Sequence, residues 1–383
     1  MVAATAATKP DLSSFDLDKK KLRRHAGSER LIQRLEASRF RYFRMLAQPF
    51  EHRTCDAFRG QSAALPVTAV HGDAHLEQFV VTAKTYGLED FDRAGFGPVV
   101  VDLVRYAASL HVACSDASWP CDSDAAVDRF MRAYGEALDK QQPDPPQPAV
   151  VERLREKAPK QQGAWLSWGE QLTVPLPPDV DAKARNAWAG LSKTMLEIHQ
   201  DWPKSMLDIV SIGSLSMGLG SALERKALVR VAGPTAARDD DLLIEVREGG
   251  ELETGGCVLR ASYGGSLILM FMSILGRRMP EVHGFVPMPG SSRRAWVQSW
   301  ELGYEELSVA DVKSQAELEE VAIDAARQLG GHFWTRFPEP VRPVQRHAQL
   351  EAFGESRAKV VELAKTWALE SNRAWQRFRD AKN

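Results

Sequence analysis

The segment His71-Gly72-Asp73-Ala74-His75-Leu76-Glu77-Gln78 decides which fold the rest of the chain is expected to adopt. A short β-branched run, residues 67 to 70, leads into it, and Asp90-Phe91-Asp92 begins 17 residues after Asp73. Between the two lie the apolar runs 79–82 and 86–89, separated by Ala83-Lys84-Thr85, which is the pattern of a tight hairpin. Asp73 and Asp90 are therefore expected at strand ends, close together in space.

Two Asp residues placed in this way, with an amide side chain near the first, are typical of phosphoryl-transfer sites. There Asp73 would accept the proton of the attacking group, and its main role is positioning, because the transfer depends on in-line geometry. The amide position, five residues later, falls on Gln78, and the second Asp is Asp90. Both are candidate Mg²⁺ ligands, since Mg²⁺ prefers oxygen donors. Asp92 either adds charge at the metal or caps the glycine-containing turn that follows.

The two histidines of the segment are catalytic candidates together with Asp73. His71 is expected to support the loop through hydrogen bonds, and His75 is either a residue of the loop or a polar wall near the acceptor. A different interpretation takes His71, Asp73 and His75 as metal ligands of a hydrolase, with His283 or His332 completing the set. That hypothesis leaves the Asp90 segment without a role.

Length, charge and hydropathy restrict the class of protein. The 383 residues suffice for two lobes with a sizeable core. The net charge of −2 shows no basic excess, so no nucleic-acid partner is expected. The longest apolar run, residues 266 to 275, is about half the length that spans a bilayer, so no membrane association is expected. The N-terminal residues show no charged region followed by an apolar core, so no signal peptide is expected.

The cysteine content favours a cytoplasmic protein. The four residues show no paired spacing and no zinc pattern, and we expect reduced thiols; they are Cys55, Cys114, Cys121 and Cys257.

Apolar periodicity and turn residues predict the main elements. Helices are expected within residues 15–50, ended by Pro49, and over 99–113, 182–200, 314 to about 329, and 357–379. Asp102 falls in the first turn of the second of these, and Ser314 to Glu317 form a capping box. Strands are expected at 209–212, 227–231, 242–246 and 295–300.

A glycine-rich segment, Gly213 to Gly220, lies between two of the predicted strands. That position suits a loop over phosphate groups, because glycine lets backbone amides approach them closely. It is not a Walker A loop, since no Gly-Lys-Ser/Thr follows. The candidate nucleotide-binding residues of this segment are Gly213, Ser214, Ser216, Gly218 and Gly220.

Several segments together resemble the uncharacterised bacterial family called domain of unknown function 2252, which looks related to aminoglycoside phosphotransferases and protein kinases. The matching segments are 58–60, 71–78, 88–103, 211–220 and 242–248, with a further likeness at 330–333. The resemblance implies an ATP- and Mg²⁺-dependent phosphotransferase that acts on a small-molecule hydroxyl or amine. It also implies Asp102 as a second, structural Asp.

The implied fold is α+β, protein-kinase-like and two-lobed, as in aminoglycoside phosphotransferases, with its motifs in permuted order. Residues 1–64 would form an N-terminal helical segment. Residues 65–204 would hold the first part of a helix-rich catalytic lobe, 205–300 a small antiparallel nucleotide lobe, and 301–383 the helices that complete the catalytic lobe.

The chain departs from the family pattern in ways that keep other functions open. Arg247 stands where a phosphate-binding Lys is typical, and Gln78 where an Asn is typical. Lys226 and Arg230 are fallback phosphate ligands or part of a solvated strand face. Trp296, Trp300 and Tyr304 are core residues or the wall of an adenine pocket. The alternatives are a catalytically impaired nucleotide-binding regulatory protein and an enzyme that transfers a nucleotide.

Overall fold

The structure, a computed structural model, describes residues 13–24, 28–61, 65–141, 143–215, 226–248, 256–260, 266–277, 279–287, 294–335 and 341–381. It is an α+β protein whose sheets are antiparallel, as the sequence predicts. Ser216, Gly218 and Gly220, candidates for the phosphate loop, lie outside the described residues. Within the described part, no helix combines the length and the apolar character needed to cross a bilayer.

The N-terminal helical region consists of short helices: α1 (Lys19–Leu22), α2 (Ser28–Glu36), α3 (Arg39–Arg44) and α4 (Ala47–Ala57). Ser38 caps α3 by accepting a hydrogen bond from the amide of Arg41. The prediction that Pro49 ends a helix was wrong, because Pro49 lies in the first turn of α4. Proline is tolerated there, where its missing N–H would have had no helical partner.

Four strands support the two Asp-containing loops. Strand β1 (Val67–Val70) pairs with β4 (Gly95–Pro98), and β2 (Phe79–Val81) forms the predicted hairpin with β3 (Tyr86–Leu88). Asp73 follows β1 and Asp90 follows β3, so the expectation that both lie just past strand ends is confirmed. A further short strand, β11 (Glu305–Glu306), pairs with β2.

The largest hydrophobic core surrounds helix α5 (Val100–Asp116), which is buried from Val100 to Ala113. Helices α6 (Ser123–Asp139), α11 (Gln315–Thr335) and α12 (Val341–Asp380) pack around it, and α7 (Ala149–Lys157) adds apolar residues to the same core. Helices α11 and α12 were predicted, but both are longer than expected. Ser314 accepts a hydrogen bond from the amide of Glu317, as the capping motif predicts.

A six-stranded antiparallel sheet has its own cores on its two faces. Its order is β5 (Thr173–Val174), β6 (Ile209–Leu215), β7 (Lys226–Val231), β8 (Leu242–Glu248), β10 (Arg294–Trp300) and β9 (His283–Pro287). Successive side chains of β7 and β8 point to opposite faces of the sheet. One face packs on α9 (Pro178–Ile198) and the other on α8 (Gln162–Gln171). Helix α10 (Ser266–Leu275) joins the large helical core instead. The sequence missed β5 and β9.

The cysteines are paired, so the expectation of reduced thiols was wrong. Cys55 of α4 is bonded to Cys257, and Cys114 of α5 is bonded to Cys121. The partners are 202 and 7 residues apart in the chain, and the fold, not a spacing motif, brings them together. A cytoplasmic location stays a prediction.

Candidate functional site

The loop after β1 is held by one buried carboxylate in the first turn of α5. Asp102 Oδ2 accepts a hydrogen bond from the amide of His71 at 2.7 Å, and Oδ1 accepts one from the amide of Gly72 at 2.8 Å. Gly72 has a φ of +77°, and a Cβ there would lie 2.1 Å from the carbonyl oxygen of Arg93. Glycine is therefore required where this loop meets the segment that follows Asp90.

Replacing Asp102 with Asn is expected to lower the free energy of unfolding by about 2 kcal/mol, because only one of the two buried amides then keeps an acceptor. Denaturant unfolding measures this difference. Asp201→Asn is the control, since Asp201 is an exposed residue of the turn after α9 and its replacement should change stability by less than about 0.5 kcal/mol. Equal losses in the two variants would contradict the role of Asp102.

Asp73 is bound to a buried arginine of α5. Its Oδ1 accepts a hydrogen bond from Arg105 Nε at 3.0 Å and lies 2.9 Å from Nη2 in the same ion pair. The same guanidinium donates to the carbonyl oxygens of Phe43 and Arg44, at 3.1 and 3.2 Å. Asp73 is thus fixed against the end of α3, and one of its carboxylate oxygens is already engaged.

The two histidines of the loop have different environments. His71 Nε2 lies 2.8 Å from the carbonyl oxygen of Glu89, so the ring joins the β1 loop to the residue before Asp90. His75 is fully buried beside Phe40 and Phe43. Burial, and then the nearby arginines Arg44 and Arg105, lower the pKa of His75 well below its usual range. Its ring is therefore neutral, and it lies 4.0 Å from Asp73 Oδ2.

Asp90 lies in a strained backbone conformation opposite an arginine of the sheet. Its φ of +64° is left-handed, which is uncommon for a residue other than glycine and often accompanies a functional role. Arg247 Nη1 lies 2.9 Å from Asp90 Oδ1 and 3.8 Å from Asp92 Oδ2. Burial alone would raise the pKa of Asp90, but Arg247, and Lys226 behind it, lower that pKa to about 2.

The sheet contributes a second ion pair next to Arg247. Lys226 of β7 is opposite Arg247 of β8 in the strand register, and its Nζ lies 3.6 Å from Glu245 Oε1. Trp300 Nε1 donates to Glu245 Oε2 at 3.0 Å. The side chain of Lys226 is 11% exposed, so its interpretation as part of a solvated strand face was wrong. The sequence contained a signal for this burial, because the alternation of β7 places Lys226 on the same face as the apolar Leu228.

Side chains of the sheet and of the two loops, among them Asp90, Lys226 and Arg247, line one polar cavity of about 130 Å³. Three are cationic and six are carboxylates, so the wall is rich in both kinds of charge. The cations are Arg44, Lys226 and Arg247, the carboxylates are Glu77, Glu89, Asp90, Asp92, Glu245 and Glu306, and the remaining lining residues are Gln78, Val80, Gln298 and Tyr304.

The sequence predicted four of these residues as ligands, gave Lys226 as a fallback phosphate ligand and Tyr304 as a core residue or pocket wall, and missed the others. Gln78, Asp90, Asp92 and Arg247 do come together in the cavity, whereas Asp73, His71 and His75 are not among its lining residues. The missed residues come from elements far apart in the chain, α3 and β11 among them. Burial raises the pKa of one of them, Glu306, against the opposing effect of Arg44.

Other predicted residues lie elsewhere or serve the fold. Gly213 and Ser214 belong to strand β6, and a Cβ on Gly213 would come within 2.6 Å of Thr173 Cβ, so this glycine allows β5 to pair closely. Trp296 and Trp300 are core residues, and Trp300 stacks on Tyr304. Arg230 binds Asp241 outside the cavity.

No cluster of three or more His, Cys, Asp or Glu side chains suited to a metal occurs among the described residues. The two carboxylates Asp90 and Asp92, with the amide of Gln78, nevertheless present the oxygen donors that Mg²⁺ prefers, and Mg²⁺ commonly takes only one or two protein carboxylates. The donor set therefore fits Mg²⁺ accompanied by phosphate oxygens. His71, Asp73 and His75, the ligands of the hydrolase hypothesis, likewise form no metal-binding group among the described residues.

One family model matches part of the chain. The family model described as "Uncharacterized protein conserved in bacteria (DUF2252)" matches residues 29–164, about a third of the chain. The match includes the Asp73 loop, the Asp90 segment, Asp102 and Arg105, and it supports the resemblance to that family. Neither the curated proteins nor the solved structures include a match.

Proposed function

We propose that the protein is an ATP- and Mg²⁺-dependent phosphotransferase with a kinase-like, permuted fold, acting on a small-molecule hydroxyl or amine. The observation that carries the proposal is the polar cavity, which brings Gln78, Asp90 and Asp92 opposite Lys226 and Arg247. Oxygen donors for a metal and cations for phosphates on facing walls are the requirements of phosphoryl transfer. The fold is called permuted because the sheet that would bind the nucleotide follows the Asp-containing loops in the chain, whereas it precedes them in an ordinary kinase.

The residues of the cavity divide between the two parts of a metal–nucleotide complex. Asp90, Asp92 and Gln78 would hold Mg²⁺, which when bound neutralises phosphate charge. Lys226 and Arg247 would contact phosphate oxygens, and Arg247 is suited to do so through two donors at once. The cavity of about 130 Å³ is smaller than the ~300 Å³ at the low end for ligand pockets. In this proposal it would hold the phosphate part of the nucleotide, and the rest would extend beyond it.

Asp73 would orient the acceptor and receive its proton. Only Oδ1 is engaged by Arg105, so Oδ2 is the oxygen of interest for this role. Asp102 would act through the backbone of His71 and Gly72, which makes it a positioning residue.

A second candidate function is a regulatory protein that binds the nucleotide without turnover. The arrangement of Asp73 favours it, because Asp73 does not line the cavity and its carboxylate is bound to a buried arginine. An acceptor could reach it only from outside that cavity or after a local rearrangement.

Thermal unfolding with ATP, with and without Mg²⁺, tests nucleotide binding. A ligand at 100 times its Kd should stabilise the protein by about 2.7 kcal/mol. Lys226→Met should weaken ATP binding about tenfold through loss of a phosphate contact. The control is Lys193→Met, on the exposed side of α9. No stabilisation by ATP in the wild type would overturn the proposal.

Product analysis then separates the candidate functions. Release of ADP together with a mass increase of one phosphoryl group on an acceptor supports the phosphotransferase. A nucleotide attached to the acceptor shows nucleotide transfer instead. Stabilisation by ATP without any product from a broad set of small hydroxyl and amine compounds favours the regulatory protein.

A further inference from the structure

Arg44 is a cation of the cavity that comes from outside the sheet. It is the last residue of α3, and its side chain lines the cavity together with Gln78 and Asp90. The other two cations, Lys226 and Arg247, belong to adjacent sheet strands and are opposite each other in register. Arg44 therefore adds positive charge from the N-terminal helices, on the side of the cavity formed by the loop of Asp73.

Arg105 fixes Arg44 relative to Asp73. One edge of its guanidinium binds Asp73 Oδ1, while Nη2 donates to the carbonyl oxygen of Arg44 at 3.2 Å and Nη1 to that of Phe43 at 3.1 Å. The guanidinium also stacks over the Phe43 ring, 4.0 Å from its centroid. The backbone of Arg44 is consequently held by the same side chain that holds the expected base.

The side chain of Arg44 has a single ion-pair partner in the described part of the protein, Glu77 Oε2 at 3.2 Å. Glu77 Oε1 accepts hydrogen bonds from the amide of Val309 at 3.0 Å and from Ser308 Oγ at 3.3 Å. Glu77 is thus anchored by the chain that follows β11, and it holds the guanidinium in place. Glu77 is the one hydrogen-bond partner of this guanidinium among the described residues, so four of its five N–H donors are left for a ligand.

We propose that Arg44 binds the phosphoryl group that is transferred, so that the N-terminal helices complete the site; this proposal rests on the proposed phosphotransferase function. In the transfer the acceptor oxygen forms a bond to the terminal phosphorus of ATP. The bond from that phosphorus to the bridging oxygen breaks, and ADP leaves with the electron pair. The proton of the acceptor passes to Asp73. Arg44 stabilises the charge on the oxygens of the phosphoryl group during this exchange.

The expected effect of Arg44→Gln is a fall in kcat of about 10³-fold, the lower end for an arginine that stabilises this transition state. The KM for ATP should change by less than about threefold, because Lys226 and Arg247 still bind the other phosphates. In thermal unfolding, the variant should accordingly keep nearly the stabilisation by ATP of the wild type.

Arg41→Gln is the matched control, because Arg41 belongs to the same helix and is exposed; its kcat should equal that of the wild type. Arg44→Lys tests whether a fall in kcat could come from misfolding, because Lys keeps the positive charge beside Glu77. Lys cannot donate to two oxygens in the planar geometry of a guanidinium, so its kcat should still fall at least about tenfold. Wild-type kcat in both Arg44 variants would overturn the role of Arg44 while leaving the phosphotransferase intact. Absence of ATP binding and turnover in the wild type would overturn the phosphotransferase itself.

Discussion

Replacing Asp90 with Asn is expected to slow phosphoryl transfer by about 10³-fold, which corresponds to about 4 kcal/mol in the activation free energy. Asn preserves the size of the side chain but removes its charge. It therefore cannot neutralise Arg247, 2.9 Å away, and it is a much weaker ligand for a divalent cation. The measurement is the rate of ADP formation with a saturating acceptor.

The loss at Asp90 must be separated from a loss of stability, and the sheet offers a matched control. Asp241, which is buried, binds Arg230 Nε at 2.8 Å outside the cavity. Asp241→Asn breaks an Asp–Arg pair of the same kind and should destabilise the protein without lowering the rate per folded molecule. A rate for Asp90→Asn equal to that of the Asp241 variant would rule out Asp90 as a ligand in the reaction.

The local elements around the site could be predicted because their signals are short-range. The hairpin of β2 and β3 follows from two apolar runs and a three-residue turn, and α5 follows from a long apolar run that begins with an acid near its first turn. These patterns place Asp73, Asp90 and Asp102 correctly at the ends of elements. What they leave open is the atom that each carboxylate contacts.

Those contacts depend on tertiary packing, which periodicity does not encode. Asp73 lies against Arg105, and Arg105 reads in the sequence as one position of an apolar helix. Arg44 lies in a region predicted as a single amphipathic stretch, whereas the structure breaks it into short helices that turn the guanidinium into the cavity. The two partners of each ion pair come from segments tens of residues apart or more.

The sheet illustrates a second limit. Strands β6, β7 and β8 were predicted from their apolar residues, but Lys226 and Arg247 were weighed separately because their registry was unknown. Antiparallel pairing places them opposite each other, and two adjacent cations on one strand face require acidic partners. Glu245 and Asp90 meet that requirement from two different parts of the chain.

Removing the Cys55–Cys257 disulfide is expected to cause a larger loss of stability than the replacement of Asp102. The bond closes a segment of 202 residues, for which the chain-entropy relation gives about 5 kcal/mol. It also ties α4 to residues 256–260, which pack closely on β4: a Cβ on Gly95 would lie 2.5 Å from Val258 Cγ1. The double variant Cys55→Ser, Cys257→Ser should show this loss in guanidinium unfolding without reductant.

Loss of the Cys55–Cys257 disulfide should also affect the candidate site, through Arg260. Its Nε donates to the carbonyl oxygen of Arg93 at 2.8 Å, and its Nη2 pairs with the buried Glu51 Oε2 at 2.7 Å. That same Arg93 carbonyl is the group that a side chain on Gly72 would strike. Release of residues 256–260 should therefore loosen the contact between the two Asp-containing loops and lower the rate of turnover in addition to stability.

The second disulfide is the control, because Cys114 and Cys121 are only 7 residues apart and the same relation gives about 2 kcal/mol for them. Equal losses for the two pairs would show that loop closure is not the source of the stabilisation. Thiol titration of the unfolded protein gives an independent result, since two disulfides leave no reactive thiol. Four reactive thiols would contradict both bonds. Disulfides persist mainly in oxidising compartments, so paired cysteines argue against the predicted cytoplasmic location. Four free thiols would again favour that location.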